Sequence, residues 1–215
     1  SVGNYDLEKD ELLLSFISTS KIYEYYCLIK MLCHITENTD FNLLESKRIS
    51  YRVNNSYYMD TKYNNTFVFG NGHIKLTLYF QPVVYGDSRA YNGLDIFRNT
   101  STNAKSENGN RGKTYTPDYI IKIEYDGTAD YIILDAKFST PENIRLHQLQ
   151  ELVYKYLFSI STLNETDHIK GLYILCGKMF GNDEEDNIHD LAQKIGRSVS
   201  PFADILVING VKTDD

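Results

Sequence analysis

Asp118, Asp135 and Lys137 are the residues of this 215-residue chain whose types and spacing suit them to act together. Two β-rich runs, 118–125 and 131–138, flank Asp126-Gly127. That dipeptide favours a two-residue hairpin turn, because both of its residues tolerate positive φ. With such a turn, Tyr125 faces Thr128, and counting outward sets Asp118 directly opposite Asp135, with Cβ atoms about 4.5–5.5 Å apart. Side chains alternate along a strand, so Lys137 projects on the same face as Asp135. A one-residue bulge would break this register. Facing carboxylates repel and destabilise a bare sheet. A divalent cation offsets the repulsion, since Mg2+ takes oxygen ligands and keeps several waters. A metal there can polarise a phosphoryl oxygen, acidify a bound water and hold a scissile group. Lys137 would then neutralise developing charge or orient the attacking water. The neighbours Ile133, Leu134 and Ala136 make the setting apolar, which strengthens electrostatics. The plainer alternative makes Asp118 a turn cap and Asp135–Lys137 an edge-strand ion pair.

The elements that must position these residues follow from periodicity. Residues 6–36 read as a long helix, with Leu13, Ile17, Leu28, Met31 and Ile35 near helical spacing. Glu24 shares that face, and an acid inside an apolar stripe needs a partner; a rim Glu paired with Lys21 is the alternative. Residues 40–72 are polar and Asn-rich and read as irregular or as short helices. Residues 74–85 have strand composition. After the hairpin, Pro141 opens a helix reaching about residue 161, with an apolar stripe of Leu149, Leu152 or Val153, Tyr156 and Ile160. A short strand at 171–177, a helix at 187–197 and a strand at 204–209 complete the chain. Alternation of this kind predicts an α/β domain with helices packed on a mixed central sheet.

Length suits one domain over 1–215, with a polar loop insertion at 86–116. A structureless stretch that long is uncommon unless functional or disordered. It carries Arg89, Arg98, Lys105, Arg111 and Lys113, and reads either as a solvated insertion or as a basic arm in which Arg98, Arg111 and Lys113 touch phosphates. The net charge of -7 argues against a stand-alone nucleic-acid binder; local basic loops or a partner that holds the polymer reconcile the two. Cys27, Cys33 and Cys176 form no C-x-x-C pair, which excludes a zinc ribbon or a redox motif and fits a reducing cytoplasm. Each reads as a small buried apolar residue. The five His residues show no metal-ligand spacing. No apolar run is long enough for a membrane span, and the first residues resemble a cut from a longer protein rather than a signal peptide.

The block Tyr115-Thr116-Pro117-Asp118, a strand, then Leu134-Asp135-Ala136-Lys137 resembles the signature of the PD-(D/E)XK nuclease superfamily. Within it, the chain is similar to McrC-type nuclease subunits of modification-dependent restriction and anti-phage defence systems. The stretches carrying that narrower likeness are 21–28, 116–137 and 148–154, and it spans roughly residues 15 to 180. The resemblance implies a restriction-endonuclease-like αβββαβ core and a Mg2+-dependent DNA endonuclease of a bacterial, cytoplasmic defence system, with Mn2+ able to substitute. It implies Asp118, Asp135 and Glu24 as metal ligands, Lys137 as the catalytic cation and Gln150 as an assisting residue, with Gln148 as its rival. It implies DNA as substrate, an NTPase partner of the McrB kind and a possible homodimer. The chain has no G-x-x-x-x-G-K-[ST] loop of its own, so it is not that motor. A non-catalytic DNA-binding or assembly subunit with a nuclease fold, or a nuclease acting on RNA, are the competing expectations.

Overall fold

The structure, a computed structural model, describes residues 19–52, 58–59, 63–86, 92–99, 114–177 and 200–209. It begins with helix α1 (Thr19–Asn38), which buries Tyr23, Cys27, Leu28 and Ile35 at helical spacing. Seven strands follow: β1 (Asn42–Lys47), β2 (Thr66–Gly70), β3 (Lys75–Phe80), β4 (Tyr119–Tyr125), β5 (Thr128–Lys137), β6 (His168–Cys176) and β7 (Phe202–Val207). They lie in one mixed sheet in the order of the chain. From β1 to β5 each pair is antiparallel; β6 adds to β5, and β7 to β6, in parallel. Parallel neighbours need a crossover. Between β5 and β6 it is built from α2 (Pro141–His147), α3 (Leu149–Val153) and a π-helical turn, Tyr154–Phe158. Thr140 caps α2, accepting from the Asn143 N–H at 3.3 Å, and Pro141 sits in the first turn.

The period-two alternation of β5 divides the core. Ala129, Tyr131 and Ile133 join Ile144, Leu152 and Tyr156 of the crossover on one face. Leu134 and Ala136 join Tyr23, Cys27 and Leu28 of α1 on the other. The hairpin register is as predicted. Asp126 and Gly127 take φ of 47° and 78°, and pairing runs without a bulge from Tyr125–Thr128 to Tyr119–Leu134.

Four segments differ from expectation. Segment 40–72 holds β1 and β2 rather than irregular chain. Its Asn content misleads because Asn65 is buried and imitates a backbone partner: its amide donates to the Ile49 carbonyl at 2.9 Å and accepts from the Ile49 N–H at 2.7 Å. The strand at 74–85 stops at Phe80, because Gln81 turns to a φ of 51°. The single helix expected from 141 to 161 is broken at Gln148 (φ -128°) and ends by Phe158, where Ile160–Thr162 becomes a strand paired with Ile96–Arg98. That pair, and Thr114–Tyr115 against Val84–Tyr85, give the flanks of the 86–116 segment regular structure. Arg89, Lys105, Arg111, Lys113, residues 6–18 of the first expected helix and the helix at 187–197 lie outside the described residues. Cys27 and Cys176 are buried as expected; Cys33 instead lies exposed on α1, and all three are free thiols. No helix among the described residues is long and apolar enough to cross a membrane.

Candidate active site

The β4–β5 ladder ends at Tyr119–Leu134, and the site begins one residue further out. There the Asp118 side chain replaces a backbone partner: its Oδ2 accepts the Ala136 N–H at 2.7 Å. Asp135, the next residue of β5, is 4% exposed. Burying a carboxylate requires strong compensation. Lys137 supplies it through Nζ on Oδ2, and the Tyr156 hydroxyl donates to Oδ1 at 3.1 Å. Lys137 itself keeps 31% of its side chain exposed, so the ammonium stands at the rim with donor capacity to spare.

Glu24 arrives from the other side of the sheet. It projects from α1, and its Oε2 accepts from Lys21 Nζ at 2.8 Å and from Gln81 Nε2 at 2.6 Å. The Tyr119 hydroxyl donates to the Glu24 backbone carbonyl, fixing this turn of α1 against β4. Gln81 is a double tie: its side chain holds Glu24 while its N–H donates to the Asp118 carbonyl at 2.7 Å. The positive φ at Gln81 turns the chain out of β3 where these two contacts are made.

The electrostatic result is an excess of carboxylate. Burial, then Asp135 and Glu24, push the Asp118 carboxyl up to about 7; the Ala136 N–H and Lys137 offset only part of this. A carboxyl so raised at the end of a sheet is poised to accept a cation or exchange a proton near neutrality. The donor set suits a hard divalent ion such as Mg2+ in oxygen type and charge. Among the described residues, no three carboxylate, imidazole or thiol groups already converge as a closed ion cage. A strongly hydrated ion needs only one or two carboxylates and retains waters for the rest.

The structure thus brings together Asp118, Asp135, Lys137 and, from the opposite face, Glu24. The alternative pairing of Glu24 with Lys21 is also present, beside the bond to Gln81. Gln150 is exposed on α3 and Gln148 half-buried at the α2–α3 break. Among the described residues, the crossover's hydrogen bond to the carboxylates comes from Tyr156. In the sequence Tyr156 reads as part of the apolar stripe; a buried Tyr hydroxyl, however, normally needs a polar partner, and here that partner is Asp135. Gln81 carried no comparable signal. Two concavities lie elsewhere: about 550 Å3 at the turn end of the hairpin, and about 780 Å3 between α1 and the sheet. Neither includes Asp118 or Asp135; an open sheet end suits a polymer better than a small molecule that must be enclosed. Comparisons with family models, curated proteins and solved structures returned no match for this chain.

Proposed function

We propose that the chain is a Mg2+-dependent nuclease domain of the PD-(D/E)XK type, hydrolysing phosphodiester bonds of DNA. The observation that carries this reading is the convergence of Asp118, bonded to the Ala136 N–H, and the buried Asp135 at the open end of one hairpin, with Lys137 on Asp135 and Asp118 pushed up to about 7. The order of the elements supports it: α1, the antiparallel strands β3 to β5, a helical crossover and the parallel β6. Asp118 and Asp135 would hold the metal, and Glu24, tied to Asp118 through Gln81, would support them. When bound, Mg2+ supplies Lewis-acid polarisation of a phosphoryl oxygen and an acidified water.

The chain's own residues have separable tasks. Tyr156 fixes the Asp135 carboxylate through Oδ1. Lys137 offers N–H donors at the rim for charge developing on phosphate, and its cation restrains repulsion between the acids when nothing else is bound. The buried Ile133, Leu134 and Ala136 lower the local dielectric, so each of these interactions is stronger than it would be in water. The overall charge of -7 gives the domain little affinity for DNA in bulk. A recruiting partner, of the NTPase kind that the McrC likeness implies, would supply the missing affinity.

The test is cleavage of supercoiled and linear DNA in Mg2+ or Mn2+ against EDTA, comparing wild type with Asp135→Ala. Cutting that needs metal and disappears in the folded variant is the expected result, with a loss of about three orders of magnitude or more. Full activity in Asp135→Ala would refute the assignment.

A further inference from the structure

Six described lysines pair with acids: Lys21 with Glu24, Lys47 with Glu45, Lys75 and Lys122 with Glu124, Lys137 with Asp135, and Lys170 with Asp130. Two described cations near the carboxylates do not. Arg98 lays its guanidinium over the Tyr115 ring, 4.3 Å from the centroid, and its Nε and Nη1 are buried without a hydrogen-bond partner among the described residues. Lys155 stands 5.7 Å from the same ring and 4.6 Å from the ring of Tyr156. Tyr115 meets Tyr156 edge-on at 6.3 Å, and the Tyr156 hydroxyl holds Asp135. Tyr115 also lies three residues before Asp118 in the chain.

Secondary structure holds this group in place. Arg98 ends the strand Ile96–Arg98, pairs directly with Ile160 and is thereby fixed to the segment that follows the π-helical turn. The turn carries both Lys155 and Tyr156. Buried guanidinium N–H groups without acceptors are unfavourable, and a planar fork of donors matches an oxyanion bidentately.

We propose that Arg98 and Lys155, arranged on Tyr115, form a phosphate-gripping subsite that takes the backbone of a DNA strand beside the carboxylate centre. The inference rests on the nuclease reading and deepens it: the acidic centre repels a polyanion, and this pair is the counterweight that holds the strand there. Arg98 supplies the directional contact, Lys155 adds charge, and Tyr115 keeps both oriented while its hydroxyphenyl edge packs on the residue that fixes Asp135.

The experiment measures binding of a fluorescein-labelled DNA duplex by anisotropy over a range of KCl, with Ca2+ replacing Mg2+. Wild type, Arg98→Gln, Arg98→Lys and Lys155→Gln are compared, each after a melting curve has established folding. For Arg98→Gln the slope of log K against log salt is expected to fall by about one, the signature of one lost phosphate contact, and likewise for Lys155→Gln. Arg98→Lys should keep the slope and lose affinity, because charge remains while the fork is gone. A slope unchanged in both Gln variants would overturn the subsite, as would a wild type with no measurable DNA affinity. If Arg98→Gln does not fold, the Arg98→Lys and Lys155→Gln results decide by the same criteria. A wild type that binds with the expected slopes yet cuts nothing in Mg2+ would remove the nuclease reading and leave the subsite standing.

Discussion

The two ends of the β4–β5 hairpin use the same residue types to opposite effect. At the turn end, Lys122 is almost fully buried, yet it donates to Asp95 at 2.8 Å and lies 3.2 Å from Glu124, which also pairs with Lys75 at 2.8 Å. Burial alone would pull Lys122 down, but Asp95 and Glu124 outweigh it and raise it; burial would push Glu124 up, but Lys75 and Lys122 hold it low. Every charge there stabilises another. At the open end, Asp118, Asp135 and Glu24 outnumber Lys21 and Lys137, the lysines bonded to them, and Asp118 is driven far above its ordinary value. A balanced network is a structural device; an unbalanced one marks a place where a ligand completes the charge.

The largest expected effect that separates the two ends comes from their lysines. Lys137→Ala should lower cleavage by about three orders of magnitude while Mn2+ binding, followed by calorimetry, persists. Loss of metal binding would contradict a role for Lys137 at the phosphate. Lys122→Met should do the reverse. It leaves Asp95 and Glu124 partly buried without their shared cation, so urea denaturation should show a loss of about 2 kcal/mol, discounted because both acids keep some contact with solvent. Cleavage per folded molecule should not change. If Lys122→Met silenced cleavage below its melting transition, the division between the two ends would fail.

A smaller and subtler difference lies in their response to pH. In the folded chain Asp118 keeps its proton up to about 7, whereas an unfolded Asp loses it near 3.8. The stability linked to that retained proton is fully present in acid below 3.8 and is lost as pH rises through about 7. Glu124, held low, contributes in the other sense: its share is present above the ordinary Glu value and is lost as pH falls. In EDTA, Asp118→Asn should therefore be more stable relative to wild type near pH 8 than near pH 4, read from denaturation midpoints at the two values. An identical pH dependence in variant and wild type would show that the excess charge at the open end is not real.

Much of this site is legible in the chain because its geometry is local. Asp126-Gly127 dictates a turn, the turn dictates a register, and the register sets Asp118 against Asp135 with Lys137 on the same face. None of those steps needs a distant contact. The acidic residue of the first helix was legible for a different reason, since an acid in an apolar stripe demands a partner. What the composition hid was long-range. Segment 40–72 reads as irregular chain or short helices because its strands gain their stability from pairing, β1 with β2 and β2 with β3. Segment 141–161 reads as one helix because the strand at Ile160–Thr162 answers to Ile96–Arg98, far earlier in the chain.

The sequence by itself determined the hairpin, the identity of its carboxylates and lysine, and the α/β alternation around them, because short-range backbone preference and strand periodicity suffice for each. Only the tertiary structure decided that the Tyr156 hydroxyl reaches Asp135, that Gln81 joins Glu24 to Asp118, and that Arg98 stands over Tyr115 with nitrogens unsatisfied among the described residues. Those contacts link elements far apart in the chain, and their energies come from burial and charge that do not exist until the sheet has formed.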